Sequence, residues 1–295
     1  MTERNNFRPK LPPWIRVKVS CGEGRQEVDS ILDDLNLNTV CKSARCPNLN
    51  ECWHKRTATF MILGDYCTRN CKFCAVNHSL TPPPPDADEP RRVAEAAKKL
   101  SLKYVVVTSV TRDDLPDGGA SQFAAVIREL RNAMPNTRVE VLTPDFNGDE
   151  EALRIVLNEK PAVFNHNLET VERLSKEIRY RADYRLSLKV LAKAAEIGGD
   201  EIPVKSGFMV GMGETKEEIL KTICELRENG VSILTVGQYL PPTREHWKLS
   251  RYVRPEEFQE FEQFAYEKGF SFAACAPLVR SSYNAAKLLE KIPST

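Results

Sequence analysis

From residue 59 onward, short β-branched runs alternate with charged amphipathic stretches, and this alternation is what most restricts the fold. The apolar runs are 59–63, 104–110, 138–142, 162–165, 204–210, 233–236 and 270–274. Between them lie the segments 88–101, 119–134, 149–159, 169–176, 186–197, 215–229 and 255–268. Parallel strands cannot be joined by tight turns, so strand then helix, repeated about six times, predicts a parallel sheet with helical crossovers. Right-handed crossovers curl such a series into an α/β fold of the TIM type, a partial (β/α)6 barrel. A doubly wound open sheet is the competitor. Against it, no G-x-G-x-x-G follows the first strand, and Gly211-Met212-Gly213 lacks the third glycine. Thr215 and Glu218 form a capping box, and Gly198, Gly230 and Gly269 fall where helices are expected to stop.

Residues 1–57 stand outside the alternation as an N-terminal extension with one helix expected over 26–35 and three cysteines. Residues 58–274 form the barrel, and 275–295 a C-terminal segment. Pro82 to Pro85 make a stiff connector. Lys plus Arg number 42 against 41 Asp plus Glu, which argues against binding nucleic acid or an anionic membrane through bulk charge. Hydrophobic residues at 41% and a mean hydropathy of −0.41 describe a globular chain. No run approaches the roughly 20 apolar residues that span a bilayer. The N-terminal residues carry no apolar signal core, so a cytoplasmic location is expected.

Six of the nine cysteines, Cys41, Cys46, Cys52, Cys67, Cys71 and Cys74, crowd into one short segment. In a reducing compartment such density points to metal rather than disulfides. Cys67-Thr-Arg-Asn-Cys71-Lys-Phe-Cys74 follows the first strand, on the barrel face where chemistry is done. Three thiolates can hold three irons of a [4Fe–4S] cube and leave the fourth open. Zinc, with His78 as fourth ligand, is the alternative. The second set, spaced C-x4-C-x5-C, does not fall on one helix face, so a loop around a metal is expected there. Zinc or plain buried cysteine is again the alternative. Cys21, Cys224 and Cys275 read as small buried residues.

C-x3-C-x2-C with an aromatic before its last cysteine resembles the signature of radical S-adenosylmethionine enzymes. With C-x4-C-x5-C ahead of it, the chain closely resembles the lipoyl synthase family. The likeness extends to residues 57–65, 108–119, 164–170, 237–243 and Arg280-Ser281-Ser282-Tyr283. The resemblance implies a sulfurtransferase of protein lipoylation. It implies that Cys67, Cys71 and Cys74 hold the cluster that binds S-adenosylmethionine, whose cleavage yields a 5′-deoxyadenosyl radical. It further implies that Cys41, Cys46, Cys52 and Ser282 hold an auxiliary [4Fe–4S] cluster, which donates two sulfurs to carbons 6 and 8 of an octanoyl chain. The implied partners are an octanoylated lipoyl carrier domain or H protein, a reduced flavodoxin or ferredoxin, and an iron–sulfur carrier protein.

Other candidates have a plainer reading beside the functional one. Ser282 is well placed to cap a helix over 284–290, and Ser281 takes that role if Ser282 is a ligand. Phe73 is placed near the adenine, with a core role as alternative. Asn165, Asn167 and Glu169, together with Ser109 and Asp113, sit where a barrel mouth is expected and are candidate S-adenosylmethionine contacts; capping and turns are the alternative. Lys205 either faces inward or pairs with a carboxylate. His54, His166 and His246 are not expected to bind metal. The basic arm (Arg4, Arg8, Lys10, Arg16, Lys18) reads as a solvated tail, with docking to an acidic carrier as alternative. Biotin-type sulfur insertion, RNA methylthiolation and a non-catalytic metal module are the competing functions. Methylthiolation would want an added basic domain, for which the chain has neither the length nor the charge.

Overall fold

The computed structural model describes residues 11–16, 23–55 and 57–282. The N-terminal part contains α1 (Glu23–Asp34), the two-residue strand β1 (Asn38–Thr39), α2 (Val40–Ser43) and α3 (Leu49–His54). Then come β2 (Thr59–Ile62) and a small pair, β3 (Tyr66–Cys67) and β4 (Asn77–His78). The repeating part runs α4 (Glu89–Lys99), β5 (Tyr104–Ser109), α5 (Ala120–Ala133), β6 (Arg138–Leu142), α6 (Glu150–Leu157) and β7 (Val163–Asn165). It continues α7 (Glu172–Ile178), α8 (Tyr184–Gly198), β8 (Val204–Val210), α9 (Lys216–Glu228), β9 (Ile233–Gln238), α10 (Pro255–Glu267) and β10 (Phe272–Ala276).

The large sheet has the order β1-β2-β5-β6-β7-β8-β9-β10. Every pairing from β2 to β10 is parallel, and only β1 runs antiparallel, with Asn38 opposite Met61 and Thr39 opposite Phe60. Strand order follows chain order without reversal. A doubly wound sheet would reverse at a switch point, so the observed order selects the barrel type. Among the described residues β10 does not pair with β1, and the barrel is partial. It has six strand–helix units and then a further strand, β10, which runs two residues past position 274.

Local chemistry explains the elements. Asp149 caps α6 by accepting from the Glu151 and Ala152 N–H groups, and Thr215 with Glu218 caps α9 reciprocally. Gly230 and Gly269 take positive φ after α9 and α10, as expected. Gly198 instead stays inside α8, and the turn falls to Gly199 with φ 51°. The helices bury apolar stripes such as Val93, Ala96, Phe123, Ile127, Val156, Ile219 and Phe261 against the sheet. The central strands are buried on both faces, as a sheet covered by crossovers requires.

Candidate active site

The C-terminal ends of the strands open into a cavity of about 710 Å³. All six clustered cysteines line it, together with Phe73, Ser109, Asn167, Glu169, Ser281 and Ser282. The loop that carries Cys67, Cys71 and Cys74 leaves β2 through Leu63 and Gly64, both with positive φ. Glu89 fixes this exit by accepting from the Leu63 N–H at 2.8 Å. The Cys67 Sγ accepts from the Arg69 and Thr111 N–H groups, each at 3.4 Å. His246 bonds the Cys74 carbonyl at 3.0 Å, and the Trp247 N–H donates to the Lys72 carbonyl at 2.8 Å, so a second loop covers the first.

Arg69 ties this loop to the barrel. Its guanidinium donates to both oxygens of Asp113, both oxygens of Asp145 and to Asn147, at 2.6–2.9 Å. Arg69 and Asp145 are buried. Burial alone would raise the Asp145 carboxyl, but the hydrogen bonds and charge of Arg69 more than offset it and hold it at about 2. Asp113, expected near the cofactor, is therefore engaged as an anchor.

The auxiliary segment departs from the expected loop. Cys41 lies in α2, Cys46 in the turn after it and Cys52 in α3. Thr39 caps α2, and buried Trp53 packs α3 inward. The Asn48 amide donates to the Leu278 carbonyl at 2.7 Å, linking this segment to the C-terminal one. That C-terminal segment crosses the sheet over Gly237. A Cβ there would lie 2.2 Å from the Val279 carbonyl oxygen, so only glycine permits the crossing. The Asn167 amide then donates to the Ser281 Oγ at 2.7 Å. Ser281 thus serves to hold this segment, and the helix expected over 284–290 lies outside the described residues, as do Cys21 and Tyr283.

The thiols fit iron–sulfur binding. Within each triplet they lie close enough for their charges to oppose one another. Burial pushes Cys41 up, and raises Cys52 to about 12, Cys71 to about 11 and Cys74 to about 12. Such thiols ionise when a metal replaces the proton. Among the described residues no three His, Cys, Asp or Glu side chains converge on a single ion. A cube takes one thiolate per iron, so its ligands stand apart. His78 is exposed and spends its Nδ1 on the Cys67 carbonyl at 3.1 Å.

Two of the expected contacts, Asp113 and Asn165, do not line the cavity. Asn165 is buried below it and donates to Glu140 at 3.2 Å. Lys205 takes the pairing alternative, donating to the same carboxylate at 2.8 Å. Cys275 is buried, whereas Cys224 is partly exposed. The sequence reading missed the buried cations of the wall. Arg179 donates to Ser187 at 3.1 Å, and among the described residues its Nη1 has no hydrogen-bond partner. It lies near Glu169, whose carboxyl burial pushes up. Arg280, next to Ser281, faces Cys46 and Glu169. Only their places beside strand ends and motif serines could have signalled them.

This fold and this site define a radical S-adenosylmethionine enzyme: the model of the Radical SAM superfamily matches residues 61–226. Solved structures share the fold at low identity. The FeFe-hydrogenase maturase HydG of Carboxydothermus hydrogenoformans aligns with a TM-score of 0.56 at 13% identity, covering 90% of this chain and 78% of its own. Methylornithine synthase gives 0.51 at 13% identity, over 88% and 84%. The model for the N-terminal domain of lipoyl synthase matches residues 1–46. The lipoyl synthase of Rubrobacter xylanophilus is 52% identical over 95% of this chain and 86% of the relative. That of Caldanaerobacter subterraneus is 52% identical over 94% and 96%. The chain belongs to the lipoyl synthase family. Among the described residues no helix is long and apolar enough to cross a membrane.

Proposed function

We propose that this enzyme inserts sulfur at carbons 6 and 8 of a protein-bound octanoyl chain, with the two cysteine triplets dividing the work. Cys67, Cys71 and Cys74 would hold the cluster that binds S-adenosylmethionine. Cys41, Cys46, Cys52 and Ser282 would hold the auxiliary cluster that supplies sulfur. When bound, these groups supply an electron for sulfonium cleavage and the sulfur to be transferred. The chain's own residues do the rest. Asn167 holds the C-terminal segment through Ser281, so Ser282 lines the same cavity as the auxiliary cysteines. Phe73, Ser109, Asn167 and Glu169 line the cavity and are the proposed contacts for S-adenosylmethionine. A serine oxygen is harder than a thiolate and matches iron–sulfur chemistry less well, which suits an iron that must be released.

The observation that carries this reading is one cavity shared by two cysteine triplets and the serine pair. The proposed substrate is an octanoylated carrier domain or H protein, with a flavodoxin or ferredoxin as reductant. The test is anaerobic reconstitution, an iron count and assay with an octanoylated carrier. About eight irons per chain are expected for two cubes. Cys71→Ala should lose S-adenosylmethionine cleavage and keep the auxiliary iron, whereas Ser282→Ala should keep cleavage and lose the lipoyl product. Equal loss of cleavage in both variants refutes the division of labour. Cleavage products without sulfur in the carrier refute sulfur insertion.

A further inference from the structure

Two sites in one cavity could work independently, but here a single side chain is bonded into both. The Asn167 amide has two N–H donors and spends each on a different partner, Glu169 Oε1 at 3.1 Å and Ser281 Oγ at 2.7 Å. A carboxylate accepts, so the amide turns its nitrogen and not its oxygen towards Glu169. Asn167 is only 9% exposed, and among the described residues its Oδ1 has no hydrogen-bond partner. That oxygen lies over Gly207, where a Cβ would stand 3.3 Å from it and 2.2 Å from the Thr235 hydroxyl. The glycine gives the amide its seat.

The two partners belong to different sites. Glu169 is locked onto β8: its N–H donates to the Gly207 carbonyl at 3.2 Å, and its carbonyl accepts from the Met209 N–H at 2.9 Å. Its φ of 65° is left-handed, which few residues with a side chain adopt, so these bonds hold it in a strained and fixed pose. It is close enough to Cys71 and Cys74 of the first triplet for its charge to act on both. Ser281 lies on the other side, between the proposed auxiliary ligand Ser282 and Arg280, whose charge reaches both Cys46 and Glu169. Freeing Ser281 would leave a buried Asn167 N–H unmade, at the cost of a lost hydrogen bond. The latch is therefore either closed or plainly open.

We propose that Asn167 couples the two sites, so that filling either one tightens the other. The inference rests on the division of the clusters proposed above. Whatever fixes the amide against Glu169 also aims its second N–H at Ser281, and a closed C-terminal segment fixes the same amide from the other side. The second occupant finds this hub already ordered and loses less conformational freedom on binding. Asn167 is thus a positioning residue for the auxiliary site as well as a contact in the first. An enzyme whose auxiliary site is empty would bind S-adenosylmethionine less tightly and still cleave it at saturation, which limits radical formation when no sulfur is ready.

The test is anaerobic calorimetry with S-adenosylhomocysteine, a thioether that is not cleaved. Reconstituted wild type is compared with a variant in which Cys41, Cys46 and Cys52 are all replaced by alanine, leaving the first cluster. Wild type should bind about fivefold more tightly or better, the lower end of ordinary coupling between sites. With Ser281→Ala added to both proteins the difference should shrink below about twofold, whereas Ser281→Thr, which keeps the acceptor, should preserve it. Hydrogen exchange gives a reading that needs no variant: S-adenosylhomocysteine should slow exchange at positions 277–282 of wild type. Full coupling in the Ser281→Ala pair overturns the inference. So does a wild type of about eight irons that shows neither the tighter binding nor the slowed exchange, and the proposed function then still stands. A wild type that loads only about four irons overturns both.

Discussion

The two cysteine triplets share a cavity but are held in opposite ways. The first sits on the barrel. Arg69 clamps it to the loops after β5 and β6, Thr68 bonds the Thr111 carbonyl at 3.0 Å, and the Lys72 N–H reaches the Ile178 carbonyl at 2.8 Å. The second rests against one edge. It depends on the two-residue pairing of β1, the packing of Val28, Leu32 and Trp53 into the core and the Asn48–Leu278 bond. Its ion pairs, Lys42 with Asp29 and Asp33, are on the surface, where such pairs contribute little. A site meant to survive every turnover is over-determined, whereas a site meant to be emptied and refilled is lightly held. This contrast matches the proposed roles.

The contrast breaks most sharply at Arg69. Arg69→Met leaves Asp145 buried without its cation, so denaturant unfolding should register a loss of about 3–5 kcal/mol. S-adenosylmethionine cleavage should fall with it. A stable variant with normal cleavage would show that the clamp is dispensable.

Acid should find the barrel side next. His166 is buried, bonding the Thr143 carbonyl at 2.9 Å and Ser187 at 3.0 Å. Burial, aided by the nearby cations Arg179 and Arg69, lowers its imidazole from 6.5 to about 4. The unfolded chain therefore binds a proton below pH 6.5 that the folded chain refuses. Stability from this group is whole above pH 6.5 and drains as pH falls towards 4, by about 3 kcal/mol. Asp145 acts in the same direction but lower, between 3.8 and about 2. Urea titrations across this range should show a steeper acid decline in wild type than in His166→Gln; parallel curves would refute the assignment.

Smaller effects should sharpen the picture on the auxiliary side. Gly237→Ala drives a methyl into the Val279 carbonyl, and the strain should cost about 1–3 kcal/mol. It should lower lipoyl product while leaving S-adenosylmethionine cleavage intact, as product analysis can check. Asn48→Ala orphans the Leu278 carbonyl, for a loss of about 1–3 kcal/mol. Its iron count should fall towards about four, the content of one cube. Full iron retention in Asn48→Ala would show that the latch does not matter.

Much of the barrel was legible because its signals are local. Alternating runs gave the strands, and Thr215 with Glu218 marked the start of α9 to the residue. The cysteine spacing likewise marked both triplets. The supports were not legible, because their partners are remote in the chain. Arg69 reads as one more polar loop residue until Asp113 and Asp145, 44 and 76 positions away, come to meet it. Asn165 reads as a mouth residue because it ends a strand, yet the register sets it beside Lys205 near the start of β8, where its amide turns down onto Glu140. The auxiliary segment was read as a loop because its spacing fits no single helix; two short helices with a turn between them satisfy the same spacing.

The bond between Asn48 and Leu278 spans 230 positions, and that sets an order of events during synthesis. Domains fold as the ribosome releases them, amino end first. The barrel can gather around its first triplet while translation is still under way, but the auxiliary pocket has no lid until residue 278 has emerged. On the proposed ligand set, iron would reach that pocket only after the polypeptide is nearly finished, and a ribosome stalled short of that point would present the three thiols without Ser282.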